Sequence, residues 1–239
     1  MNVSENYRNA WESYWSETSD APGEAIWDAD PSLTSQPHSE LFLPYADTSR
    51  TIVDLGCGNG TQTRYLATRF VKAVGVDLTH AAVEHARRAA NGTGVEFQQL
   101  DLTDIDAVRA LHTRLGDSHV YMRAVIHQSE PAARSRVAAA VAEIIGAEGR
   151  AFVVELTSGS REVLQRAAAD PGGPGPKLRR VFHHGLKPAD ASDDEIPTLL
   201  GEAGLTVLAS GDTALAQTEN LADGTRIDLP ARWFVLAGK

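Results

Sequence analysis

The sequence predicts an α/β domain with a mostly parallel sheet and helices on both faces, and three observations predict it. Short β-branched runs alternate with stretches of helical periodicity from Thr51 to Leu156, the pattern of repeated βαβ units. The first of these runs leads, in TIVDLGCGNG, directly into three glycines at 56, 58 and 60. Such a turn out of a strand needs backbone without Cβ clashes and lets a ligand lie directly on the peptide plane. Finally, two apolar runs close the chain at 205–208 and 233–237 with no crossover helix between them.

The elements follow in order. Ser4 caps a first helix in which Tyr7, Trp11, Tyr14 and Trp15 fall at i, i+4, i+7 and i+8, one aromatic stripe. Trp27 lies in EAIWDADP, before a Pro, Ser and Gln-rich connector that ends near His38. Residues 1–45 thus read as an N-terminal helical cap, and 46–239 as one globular domain. Within it the strands are 51–55, 73–77, 95–99, 120–126 and 150–156. The intervening helices are 61–70, 81–90 with a stop at Asn91-Gly92, a face marked by Ile105, Val108, Leu111 and Leu115, and 132–145. After a helix at 161–169, the segment DPGGPGPK reads as flexible and leads to LRRVFHHGLKPAD. A helix at 194–203 carries Pro197 in its first turn, and the last two strands flank a polar turn at Asp223-Gly224.

Composition narrows the function classes. A chain of 239 residues buries a sizeable core, and a net charge of −10 without a basic segment argues against nucleic acid as the main partner. The single cysteine, Cys57, forms no intrachain disulfide and reads as a small filler of the glycine loop. MNVSENYRNAW lacks a signal pattern, and no apolar run has the length of a membrane span. The expectation is a cytoplasmic protein acting on a small molecule.

The spacing of the loop separates two cofactor classes. Dinucleotide binding wants G-x-G-x-x-G, whereas Asp54-Leu-Gly-Cys-Gly-Asn-Gly60 is G-x-G-x-G with an acid two residues before the first glycine. This form resembles the first motif of the class I S-adenosylmethionine (SAM) dependent methyltransferases, and the resemblance covers residues from about 50 to the end. It implies a Rossmann-like seven-stranded sheet whose last strand inserts antiparallel, with SAM as cofactor and S-adenosylhomocysteine as its product. It also implies that the loop, Asp54, Gly56, Cys57, Gly58 and Gly60, holds the amino-acid end of the cofactor. Asp77, with Leu78 after it, ends the second strand 17 residues past the last glycine and would accept both ribose hydroxyls. Asp101 and the Leu102 amide would read the adenine, since Thr103 or Asp104 can cap the next helix in place of Asp101. Arg123 either pairs with the cofactor carboxylate or braces the loop.

His127 stands where many small-molecule methyltransferases have a histidine pair, and the resemblance implies a base role; capping of the following helix is the other reading. A neutral imidazole suits a phenol or hydroxyl acceptor. His119 stands where the family often has an acid. His183 and His184 are further base or substrate-contact candidates in a mobile segment, and Trp11, Tyr14, Trp15 and Trp27 either roof the substrate or pack on the core. No H-x-x-x-H or C-x-x-C spacing suggests a metal. The leading expectation is O-methylation of a specialised metabolite. The alternatives are a fold relative that uses SAM without consuming it, as a cyclase or decarboxylase does, a SAM-binding protein without turnover, and a nicotinamide dehydrogenase.

Overall fold

The computed structural model describes residues 3–186 and 191–238. Seven strands form one sheet in the order β3-β2-β1-β4-β5-β7-β6. They are β1 (Thr51–Leu55), β2 (Lys72–Asp77), β3 (Glu96–Gln99), β4 (His119–Arg123), β5 (Arg150–Leu156), β6 (Thr206–Asn220) and β7 (Arg226–Ala237). The first five are parallel, and β7 inserts antiparallel between β5 and β6. Helices α3 (Thr61–Leu66), α4 (His80–Ala89), α5 (Ile105–Leu115) and α6 (Arg134–Ile145) are the crossovers. Of the parallel strands, β1, β2, β4 and β5 are buried along most of their length, whereas the edge strand β3 buries only Phe97. One core joins α5 and α6 to the sheet through Val108, Leu111, Val141 and Ile144. The other face carries Phe42, Phe70, Tyr121 and Phe152. No helix among the described residues is long and apolar enough to cross a membrane.

Several elements differ from the sequence expectation, each for a local reason. β4 ends at Arg123 instead of 126 because Ala124 takes φ 60° and the next three amides turn toward a side chain, leaving no ladder to extend. His127 therefore lies in a turn after the strand. The connector before His38 is in part a helix, α2 (Ser35–Phe42), whose Pro37 sits in the first turn where its missing N–H costs nothing. The polar side chains of Thr34 and Ser35 that suggested a loop instead donate to Gln62 Oε1 at 2.6 and 2.7 Å. Beyond α7 (Gly159–Ala168), a helix α8 (Pro176–His183) occupies the segment expected to be mobile. Its start is capped from 42 residues away, by the Glu219 carboxylate accepting from the Lys177 and Leu178 amides. Lys187 to Asp190 lie outside the described residues. The final pair is a long hairpin: polar stretches such as Ser210 to Thr213 read as loop but pair with β7, and the turn falls at Asp223-Gly224 as its residues suggest. Helix α9 (Glu195–Glu202) precedes it, with Pro197 in the first turn.

The N-terminal cap is α1 (Glu5–Glu17), capped by Ser4 Oγ accepting from the Tyr7 amide. His119, in the position where an acid is common, staples the sheet: Nδ1 accepts from the Arg150 amide and Nε2–H donates to the Asp47 carbonyl, both at 3.0 Å.

Candidate active site

The glycine loop is spliced to the neighbouring strand: the Gly56 and Cys57 amides both donate to the Val76 carbonyl, at 2.8 and 3.0 Å. Gly58, at φ 54°, turns its own amide onto Asp77 Oδ2 at 3.0 Å. Cys57 is buried, and burial pushes its thiol well above the ordinary range, so it is a filler with no thiolate character. Two motif residues, Asp54 and Gly60, do not line the cavity above the loop. Asp54 lies beneath the loop with Oδ2 accepting from Thr63 Oγ1 at 2.6 Å, and burial raises its carboxyl to about 6. A Cβ on Gly60 would meet Phe97 at 2.6 Å and Ala86 at 3.0 Å, so its role is close packing of helix on strand.

Asp77 and Leu78 line the cavity beside Gly58. Asp77 Oδ1 accepts from the Thr79 amide and hydroxyl, both at 3.0 Å, so the residue clamps the loop while facing the ligand space; burial raises its carboxyl. Asp101 and Leu102 form the next part of the wall. Asp104, accepting from the Ala107 amide, caps α5, which leaves Asp101 for other work. Its Oδ1 accepts from Thr103, and its Oδ2 meets the Arg8 guanidinium at 2.8 Å.

That ion pair belongs to a strap. α1 and the residues before it are tied to the domain along their length, among other places through the Val3 amide to Thr103, Ser4 to Glu130, Arg8 to Asp101, and the Glu12 carboxylate to the first amides of α4 at His80 and Ala81. The strap carries its aromatic stripe over the glycine loop, where Trp15 rests against Gly58. Tyr7, Trp11, Trp15 and Trp27 line the cavity. Tyr14 does not: it is fully buried, its ring tilted at 32° against Trp27 with centroids 4.9 Å apart, and it packs among the other rings.

His127 lines the far side of the cavity, across the end of β4. Its Nδ1 lies 2.6 Å from Glu155 Oε2, and the same carboxylate accepts from the amides of Val125, Ile126 and His127. Arg123 lines the cavity on the Gly56 side, where its charge reaches Asp54 and Tyr121. His183 and His184 are not cavity residues. At the end of α8 His183 is exposed and the buried His184 side chain packs against Glu17 at 3.1 Å and the ring of Tyr14, while Leu178 and Val181 face inward and Phe182, though partly exposed, also lines the cavity.

Sequence reasoning missed several wall residues. Asp28 is 6 % exposed, its Oδ2 receiving the Gly23 amide and Asn59 Nδ2 while the residue faces the loop. Gln217 reaches in from β6, and Tyr7 lies on the stripe already noted. Glu155 had a legible signal: an acid at the end of the apolar run AFVVEL. Among the described residues no group of three or more metal-ligating side chains comes together.

These walls fit a cofactor with an amino-acid end and an adenosyl end. A carboxylate at Asp28 and a cation at Arg123 flank the loop for an ammonium and a carboxylate, and Asp77 and Asp101 follow along the strand ends for hydroxyls and an amine. Sheet order, inserted β7 and this loop together define a Rossmann-like domain of the methyltransferase kind. Residues 52–149 match the model of the methyltransferase domain family. The fold is also that of a SAM-dependent methyltransferase from Anabaena variabilis, with 24% identity, a TM-score of 0.90, and coverage of 100% of this chain and 98% of that one. Geranyl diphosphate C-methyltransferase from Streptomyces coelicolor, crystallised with Mg2+, geranyl diphosphate and S-adenosylhomocysteine, is similar at 13% identity and a TM-score of 0.62, with 100% of both chains covered. Trans-aconitate 2-methyltransferase from Acidovorax ebreus is 37% identical over 87 residues, 32% of this chain and 33% of that protein, so the match spans about a third of the curated relative. Residues 52–149 thus match a methyltransferase domain, within a chain that has the fold of SAM-dependent methyltransferases.

Proposed function

We propose that the protein transfers the methyl group of SAM to a small, partly apolar acceptor, with O-methylation of a specialised metabolite as the leading chemistry, in the cytoplasm. The observation that carries this reading is His127, which shares one cavity with the glycine loop and with an apolar chamber formed by Leu156, Leu164, Leu178, Val181, Phe182 and Leu229. The similarity to trans-aconitate and geranyl diphosphate methyltransferases supports a small-molecule acceptor.

When bound, the cofactor supplies an electrophilic methyl group on a sulfonium, which the acceptor lone pair takes as the carbon–sulfur electrons return to sulfur. The residues of the chain hold and align. Asp77 would accept from the ribose hydroxyls, Asp101 and the Leu102 amide would read the adenine, and Asp28 and Arg123 would take the two charges of the amino-acid end. Trp11, Trp15 and Trp27 close the roof and exclude water, and the apolar chamber orients the acceptor for in-line attack. His127 takes the acceptor proton on Nε2 and later gives it to solvent.

The test is calorimetric titration with S-adenosylhomocysteine, then a labelled-methyl screen of phenols, carboxylates and amines. Binding with label transfer to a hydroxyl acceptor is the expected result. Product formed with SAM unconsumed, or binding with every acceptor unchanged, would replace it with the cyclase or the non-catalytic reading.

A further inference from the structure

The Glu155 carboxylate is 1 % exposed and has three backbone donors and the His127 ring aimed at it from one turn. Oε1 accepts from the amides of Val125 and Ile126 at 3.0 and 2.8 Å, Oε2 accepts from the His127 amide at 3.1 Å, and the ring Nδ1 lies 2.6 Å from Oε2. An ionised carboxylate only accepts, with about two lone-pair directions on each oxygen, and here three directions are filled by backbone N–H groups while the fourth faces the ring. An acceptor-only, ionised carboxylate is the form that matches three converging backbone donors best. The ring atom facing it must then be Nδ1–H, and the lone pair of the neutral imidazole falls on Nε2.

We propose that Glu155 is a positioning residue that fixes His127 as the Nδ1–H tautomer, with Nε2 presented as the proton acceptor. The inference rests on the base role of His127 in the reading above. As the acceptor oxygen bonds to the methyl carbon and the carbon–sulfur pair returns to sulfur, the O–H proton passes to Nε2. Nδ1 keeps its proton throughout, so the charge that forms on the ring lies beside a carboxylate that is already ionised and already oriented. The backbone at this turn is held from behind, where Arg134 Nη2 donates to the His127 carbonyl at 3.4 Å, and Arg134 pairs with Glu195. A carboxylate present only to cap the turn would need the three amides and would not need the ring.

The substitution Glu155→Gln separates the two roles. Its single carbonyl oxygen keeps the most donors by staying on the amides of Val125 and Ile126, which leaves –NH2 where Oε2 stood, facing the ring and a His127 amide that has lost its acceptor. A donor there is accommodated by moving the ring proton to Nε2. The same reversal, from Asp to Asn in the serine-protease triad, costs about 10⁴ in rate. The experiment is ¹⁵N NMR of histidine-labelled protein at about pH 8, above the ordinary imidazole value of about 6.5, together with single-turnover methyl transfer to a phenolic acceptor. The expected results are Nδ1–H at His127 in the wild type, Nε2–H in Glu155→Gln, and a transfer rate lowered about 10²-fold or more with affinity for S-adenosylhomocysteine kept. A wild-type His127 carrying its proton on Nε2 overturns the proposal, and that spectrum needs no variant to fold. So does a folded Glu155→Gln that transfers methyl at the wild-type rate. If no acceptor is methylated, the functional reading fails while the tautomer measurement still decides this one.

Discussion

Replacing Gly58 by alanine tests whether the strap lies on the glycine loop. The residue sits at φ 54°, and a Cβ built there comes within 2.8 Å of Trp15 Cζ2 and 3.0 Å of Cη2. The left-handed backbone costs a non-glycine residue about 1–2 kcal/mol. Forcing a methyl group against a packed ring adds about 1–3 kcal/mol. The indole has little room to yield, being 2 % exposed, with its carbonyl bonded to His85 Nε2 at 2.8 Å and its ring in contact with Trp27. The single variant should therefore lose about 2–5 kcal/mol. Trp15→Ala, which removes a buried aromatic, should lose about 3–5 kcal/mol. In the double variant the steric part vanishes and the backbone part stays, so the loss should fall short of the sum by about 1–3 kcal/mol. Urea unfolding of the four proteins measures this coupling. Additivity within about 0.5 kcal/mol would refute the contact and, with it, the placement of α1 over the loop.

The other predictions follow from the same geometry. Asp77→Ala removes both the loop clamp and the ribose acceptor, so affinity for S-adenosylhomocysteine should drop about tenfold or more, at roughly 1.5–3 kcal/mol for charge-assisted bonds; unchanged affinity in calorimetry would sink the assignment. His127→Ala should lose about 10²–10⁴ in single-turnover rate with cofactor affinity intact, provided the acceptor has a pKa above the assay pH, and near-equal rates would reduce it to a structural residue. Burial pushes His38 down to about 3, so the unfolded chain binds a proton near pH 6.5 that the folded chain refuses. This contribution is whole above about pH 6.5 and is lost as pH falls, by about 2 kcal/mol at pH 5. Asp54, raised to about 6, acts in the opposite direction but is common to wild type and His38→Gln, so the stability difference between those two proteins isolates the histidine. Equal acid slopes in denaturant titrations of the two would contradict it.

The sheet was legible in the sequence because its information is local: β-branched runs bounded by glycines and capping residues state both element and end. What was hidden depends on partners far along the chain. Nothing near Pro176 announces a helix whose cap is Glu219, and nothing near Ile126 shows that a β-branched residue will leave the strand because Glu155 claims its amide. The aromatic stripe was visible, but which of its rings face the cavity depends on where α1 is tied. Arg8 on Asp101 and Glu12 on α4 set that angle, and it leaves Tyr14 out of the wall that Trp11 and Trp15 line. His183 and His184 were attractive as an adjacent pair, yet the turn of α8 that points Leu178 and Val181 inward carries both histidines away.

The wall of the cavity is written in two parts of the chain that have little to do with each other. The loop, Asp77 and Asp101 fall within the stretch that matches the methyltransferase domain family, which stops at 149. Leu156, the inward side of α8 and the β6–β7 hairpin all come later, and Trp11, Trp15, Trp27 and Asp28 come earlier. Family likeness over 52–149 therefore bears on one part of the cavity. Changes on α8 or along the hairpin can redraw the rest while leaving the glycine loop untouched, and two proteins indistinguishable in their glycine loops can part company in the molecules they select.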